Sequence, residues 1–426
     1  MKRFWMAAIL AMLTAPAFAI IGTVDDVPAA TLLLPYFEVD LDNPDGVTTL
    51  MSINNASATA VLAHVVIWTD LSIHVLDFNV YLTGYDVQSI NLRDILVDGN
   101  LPITADDGND PTDHISPQGP SSQDISFPGC NGILPYSNPA LDATYLDHLQ
   151  SALTGQASAV FFGGKCSGID HGDRIARGYV TVDAVSFCSQ DFPQDVGYFA
   201  AGGTGTATNQ NVLWGDYFYV NPGQNFAQGE TLVHVEADAT LGAANYTFYH
   251  RYVSAANGED NREGLGNVFA VRYINGGVFS GGSDLLTWRD SKYAELPFSC
   301  ALPYPSHFPL GQEQVVVFDE EENYEVPEGC QISPCPPTEG IIPFPWEAQR
   351  TEVGSSALPT TFSFGWMFLN LNFINGGLPQ FDPLMQNWVS VVMDADGRFS
   401  VGFDAIQLGN VTDGDVTNNP TIFVQN

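Results

Sequence analysis

Val61-Leu62-Ala63-His64-Val65-Val66-Ile67-Trp68 is apolar at odd and even positions alike, whereas Phe78-Asn79-Val80-Tyr81-Leu82 alternates. Successive side chains of a strand point to opposite faces. The first run therefore reads as a strand covered on both faces, the second as a strand with one apolar face. Tyr246, Phe248, His250 and Tyr252 alternate in the same way. Further strands are expected at 31–39, 47–54, 86–92, 158–163, 178–187, 212–220, 230–236, 268–275, 314–319, 361–371, 387–394 and 398–408. Turn chemistry separates many of them, as in Asn43-Pro44-Asp45-Gly46, Asn275-Gly276-Gly277 and Asp394-Ala395-Asp396-Gly397. Many short strands and few helical stretches predict an all-β fold of one or two β-sandwich or jelly-roll-like modules.

One helix interrupts this pattern. Asn138 is placed to cap it and Pro139 to occupy its first turn, with Leu141, Tyr145, Leu149 and Leu153 as the apolar stripe before Gly155. It belongs to an irregular insertion, residues 98–157, rich in Asp, Pro, Gly and Ser. The expected organisation is an export signal at 1–19, an N-terminal β-module at 20–97, that insertion, a central β region at 158–254, and a C-terminal β region at 255–426 with a Pro-rich loop.

Lys2 and Arg3, the apolar run Phe4 to Leu13, and Ala15-Pro16-Ala17-Phe18-Ala19 have the three parts of a secretory signal, with cleavage expected near Ala19. The apolar run is too short to stay in a bilayer. No later stretch reaches spanning length without charges or prolines, so no integral membrane segment is expected. The predicted location is secreted, periplasmic or cell-surface. An outer-membrane barrel fits poorly with six cysteines and 27 prolines.

The chain carries 13 Lys+Arg against 49 Asp+Glu, a formal charge of −36 that becomes −38 once Lys2 and Arg3 are removed. Beyond the signal the lysines are Lys165 and Lys292 alone. Such a surface repels phosphate backbones, which excludes nucleic acid as a partner. It suits divalent cations, neutral glycans or a basic partner at a cell surface or matrix.

Cys130, Cys166, Cys188, Cys300, Cys330 and Cys335 remain after cleavage, and an even count in an exported chain reads as up to three disulfides. Cys330 and Cys335 are close enough to pair locally; a zinc site there would need two more ligands, and none lies nearby.

The stretches Leu32-Leu33-Leu34-Pro35-Tyr36-Phe37-Glu38-Val39, Thr49-Leu50-Met51-Ser52-Ile53-Asn54-Asn55 and Leu76-Asp77-Phe78-Asn79-Val80-Tyr81-Leu82-Thr83-Gly84-Tyr85-Asp86-Val87 carry a resemblance. With them the chain resembles a group of uncharacterised secreted bacterial proteins that share this N-terminal β-module. Ser283 to Trp288 and Val317 to Glu322 extend the likeness loosely. The resemblance implies export and a bacterial source, and transfers no catalytic residue.

Asp40, Asp42 and Asp45, with Asn43 and Gly46, form the calcium candidate: carboxylates two and three apart on a turn closed by glycine. It lacks the distal glutamate of an EF-hand loop, and Asp and Gly occur in turns for conformational reasons alone. Asp106 to Asp113 is a second acidic stretch; Asp413-Gly414-Asp415 reads as a turn and Glu320-Glu321-Glu322 as a solvated charge run. His234 and Glu236 share one face of a strand. Asp170-His171-Gly172-Asp173-Arg174, with Arg177, is the densest mixture of acid, base and cation. No Gly-x-Ser-x-Gly elbow, His-Glu-x-x-His helix or phosphate-binding glycine loop occurs. The expected function is therefore an extracellular or surface protein of structural or adhesive type, without an evident catalytic site. The alternative is a carbohydrate-binding or glycoside-hydrolysing protein using a carboxylate pair and aromatic platforms drawn from Trp214, Tyr217, Tyr219, Trp346, Trp366 and Trp388.

Overall fold

A computed structural model describes residues 27–104, 127–130, 140–241, 247–253, 259–327, 341–372 and 385–409. In chain order come β1 (Thr31–Asp40), β2 (Thr48–Asn55), β3 (Val61–Thr69), β4 (His74–Leu82) and β5 (Val87–Asn91), then α1 (Leu92–Leu96) and α2 (Ala143–Leu153). Next are β6 (Ile175–Val185), β7 (Leu213–Trp214), β8 (Asp216–Asn221), β9 (Phe226–Thr231) and β10 (Val233–Val235). The rest are β11 (Val268–Ile274), β12 (Gly282–Arg289), β13 (Gln314–Asp319), β14 (Tyr324–Glu325), β15 (Ala348–Glu352), β16 (Phe364–Asn370), β17 (Asn387–Asp394), β18 (Ser400–Asp404) and β19 (Ile406–Gly409). The fold is all-β, and among the described residues the strands named above pair antiparallel.

Strands of the first half interleave rather than closing in sequence order. One sheet runs β10-β1-β6-β3-β4 and another β5-β2-β8-β9, so each mixes strands from 31–91 with strands from 175–235. Residues 31–91 thus do not complete a module without the central region. β3 is buried along its whole length, as its two-parity apolar run requires. α1 and α2 add Leu92, Ile95, Leu96, Leu149, Ala152 and Leu153 to the same core.

The second half is a sandwich of β14-β13-β16-β11-β19 on β15-β12-β17-β18. Its core holds Phe269, Val271, Val317, Met367, Leu285, Val389 and Val391. Period-two alternation makes the sheet β15-β12-β17-β18 a shared layer. Leu285 and Val391 face the second core, while Leu286, Trp288, Ala348 and Val392 belong to the first. The two halves are therefore continuous in packing. Trp288 meets Phe248 at 5.3 Å and Tyr179 at 5.9 Å between ring centroids across that junction.

Three local expectations differ from the structure. The helix begins at Ala143 with Asp142 as cap, its side chain accepting from the amides of Thr144 and Tyr145; Asn138 and Pro139 lie outside the described residues. Residues 247–253 form successive turns, with Phe248, Tyr249 and Arg251 all turned inward, so the aromatic alternation there reflects anchoring and not a strand. Residues 158–163 bend back on themselves, where Gly163 and Gly164 take positive φ and Val160 and Phe161 stay exposed.

Two disulfides close, Cys130–Cys188 and Cys166–Cys300. The second ties the approach to β6 to a loop of the second half. Cys330 and Cys335 lie outside the described residues, as do the expected signal, Asp106 to Asp113 and Asp413 to Asp415. Among the described residues no helix is long and apolar enough to cross a membrane.

Candidate functional site: an aromatic groove on the outer sheet

Most of the candidates named from sequence are spent on structure. Asp40 Oδ1 accepts from the amides of Asp42 (3.1 Å) and Asn43 (3.0 Å), and Asn43 Oδ1 accepts from Asp45 N, so this turn satisfies itself. Asp42 pairs with Arg174 at 3.6 Å. Asp40, Asp42 and Asp45 are not drawn together as a ligand set: among the described residues no group of three or more His, Cys, Asp or Glu side chains is placed to hold a metal. His234 is buried on β10 and its Nε2 receives the Gly215 amide at 3.4 Å.

In the mixed-charge loop, Arg177 grips Asp173 through two bonds of 2.7 and 2.8 Å. His171 meets Asp70 of the β3–β4 turn, with Nε2 3.3 Å from Oδ2, a contact that no local pattern of residues signals. Burial raises the Asp70 carboxyl, and the His171 bond works against that shift. Asp70 also accepts from Ile169 N, so the pair pins the loop.

Three clusters of buried charge surround Arg262, Arg251 and Arg289. Arg262, wholly buried, lies between Asp183 (3.4 Å) and Asp260 (3.7 Å) and bonds Thr31, while Tyr198 and Tyr249 donate to Asp183 at 2.8 and 2.9 Å. Arg251 bridges Asp290 (2.5 Å) and Glu347 (3.0 Å) where the two halves meet. Burial pushes the Glu347 carboxyl up to about 7 despite Arg251 beside it. Arg289 donates to the carbonyls of Leu310, Gly311, Phe344 and Leu371 and to Asn387 Oδ1. Ring partners, carbonyls and opposite charges hold each cluster shut. They are structural.

The aromatic candidates divide by environment. Tyr217 and Tyr219 are buried, the latter donating to Tyr36 O at 2.7 Å. Trp346 packs on Phe308 and Leu310, and Trp388 packs on the first core while its Nε1 donates to Asp404. Trp214 is exposed on β7. Trp366 lines a groove.

That groove is built by strand register. Tyr324, Phe318, Trp366 and Arg272 are direct cross-strand partners on β14, β13, β16 and β11, so all four stand in one row on the outer face. Their odd-numbered neighbours Val317, Met367 and Val271 point into the sandwich core. Phe318 stacks on Trp366 with centroids 4.7 Å apart and planes 12° from parallel, and Val316, Phe368 and Val268 form a buried base beside them. Gly365 allows the strands to approach here, since a Cβ would come within 1.8 Å of Phe318 O.

The groove measures about 430 Å³ and is walled by Trp366, Arg272, Ala270, Ile406, Asp319 and Glu320. This size falls in the range of small-molecule sites. Arg93, Arg174, Arg177, Arg251, Arg262, Arg289, Arg350 and Arg398 each have a hydrogen bond or ion pair. Arg272 has none with any described residue, and neither does the Glu320 side chain. Asp319, by contrast, accepts from Glu321 N, Asn323 N and Asn323 Nδ2, bonds that hold its carboxyl below the usual range and fix the rim loop. From sequence, Glu320 to Glu322 reads only as a solvated run and Arg272 carries no signal; their approach follows from the register of β11, β13 and β16. Comparison with known proteins finds no matching family model, no matching curated protein and no matching solved structure.

Proposed function

We propose that this chain is an exported extracellular or surface protein of adhesive type, which acts by binding through the outer face of its second sandwich. The observation that carries this reading is the row Tyr324-Phe318-Trp366-Arg272, a partly exposed aromatic and cationic surface of which Trp366 and Arg272 line a groove. Aromatic side chains beside an arginine are the residue types enriched where binding energy is concentrated on recognition surfaces. Support for export comes from the residue pattern of 1–19 and from two closed disulfides, which persist in oxidising compartments. A rigid scaffold suits adhesion, because preorganised side chains lose little entropy on binding. The carboxylates of the groove favour binding over hydrolysis: Asp319 is occupied by its own turn, which leaves Glu320 without an acid–base partner.

The test is attachment of fluorescently labelled protein to bacterial cells and to their extracellular matrix, measured by flow cytometry. Trp366→Ala is expected to reduce attachment strongly, while Trp214→Ala, which alters the exposed tryptophan of the other half, leaves it unchanged. Equal attachment by the wild type and Trp366→Ala would remove this face from the function.

A further inference from the structure

We infer that the groove of the outer sheet binds a neutral hexose-based saccharide, an assignment of ligand class that rests on reading this face as the recognition surface. Three features converge on it. Trp366 is held rigidly by its stack on Phe318 and presents an apolar ring surface to the groove, which matches the C–H face of a pyranose. Arg272 offers a planar fork of donors with no described partner to compete for them. Glu320 offers acceptors, also without a described partner, at the rim that Asp319 fixes.

A sugar hydroxyl donates one hydrogen bond and accepts others, so adjacent hydroxyls satisfy a cation and a carboxylate together. Few other ligands want an aromatic platform, a fork of donors and a carboxylate in one small groove. A polyanion meets only one free guanidinium here, beside Glu320, on a chain of charge −36. An extended peptide would be expected at a sheet edge, where backbone groups are free, and the groove lies on a face. Ile406, 67% exposed on the neighbouring edge strand, extends the apolar floor in one direction and suggests a second sugar unit along the groove.

Affinity electrophoresis of the purified chain tests this, using gels cast with a soluble β-glucan, a mannan, a galactan, a polyuronate or a sulfated glycan. At least one neutral polysaccharide is expected to retard the wild type. Arg272→Ala is expected to weaken that retardation about tenfold, the usual result of losing a charge-assisted hydrogen bond. Arg272 is exposed and unpartnered, so this variant folds, and its thermal melt checks that. Trp366→Phe, which keeps a ring on Phe318, is expected to weaken retardation less than Trp366→Ala. The inference is overturned if no neutral polysaccharide retards the protein, if only the anionic ones do, or if Arg272→Ala migrates as the wild type in every gel. If Trp366-dependent attachment to cells persists without any retardation, the recognition face stands and the saccharide falls.

Discussion

Arg350 on β15 donates from Nη1 to Glu38 Oε2 on β1 at 3.0 Å, an ion pair that ties the two halves of the chain across 312 residues of sequence. The same guanidinium reaches Asp284 at 2.6 Å, and Tyr36 donates to the other oxygen of Glu38 at 2.8 Å. Arg350 retains some solvent contact, whereas Glu38 is nearly buried. Removing the cation therefore strands a carboxylate. Arg350→Met is expected to destabilise the protein by about 1–3 kcal/mol, and adding Glu38→Gln to restore part of the loss. Urea denaturation of the two single variants and the double variant measures this; strict additivity would show that the contact couples nothing.

Arg289 serves four backbone carbonyls, those of Leu310, Gly311, Phe344 and Leu371. Arg289→Met should cost at least about 3 kcal/mol, since each buried carbonyl left bare carries its own desolvation penalty. Arg289→Lys should recover only part, because a point charge cannot reproduce the fork. Thermal melting of both variants reads the difference, and equal melting would contradict it.

The carboxyl of Asp77 is pushed up to about 7, chiefly by burial and further by Asp191 and Asp195. Its folded form holds a proton more tightly than the unfolded chain does, so this group costs stability as pH rises from about 4 to about 7. Glu347 acts with the same sign between its ordinary range and about 7. His74, drawn down to about 4 by burial, acts with the opposite sign, adding stability as pH rises from about 4 to about 6.5. Asp77→Asn removes one contribution alone. It should raise stability by about 1–2 kcal/mol at pH 8 and leave it nearly unchanged at pH 4. Denaturant titrations at the two pH values decide, and a gain of equal size at both would sink the assignment.

Cys166–Cys300 closes a long loop between the halves. Cys166→Ser with Cys300→Ser should lower stability by about 2–4 kcal/mol. Peptide mapping without reductant should recover the 166–300 and 130–188 pairs; a different pairing would refute the arrangement.

Strand positions were largely legible in the sequence where one or both faces are apolar. β1, β3, β6, β11 and β13 fall within a few residues of their apolar runs. β15 was not, because Ala348-Gln349-Arg350-Thr351-Glu352 has almost no apolar content; its place is set by pairing with β12 and by the Arg350 contacts. Residues 247–253 misled in the other direction: alternating rings look like a strand whether they line a sheet or plug a junction. Of the groove, Trp366 could be named from sequence as one aromatic among six. Arg272 and Glu320 could not, since nothing local records which strands become neighbours.

The interleaved order of the first two sheets also governs how the chain must be handled while it is being made. β1 finds its partners only when residues 175–185 and 233–235 have arrived, and β2, which β5 can join early, waits for β8 on its other edge. Until then an emerging chain displays long apolar ribbons with bare edges, the kind of template on which other chains aggregate. A nascent polypeptide of this topology is safest kept extended by an escort until its middle third is free, and a fragment that stops short of residue 235 is material for proteases.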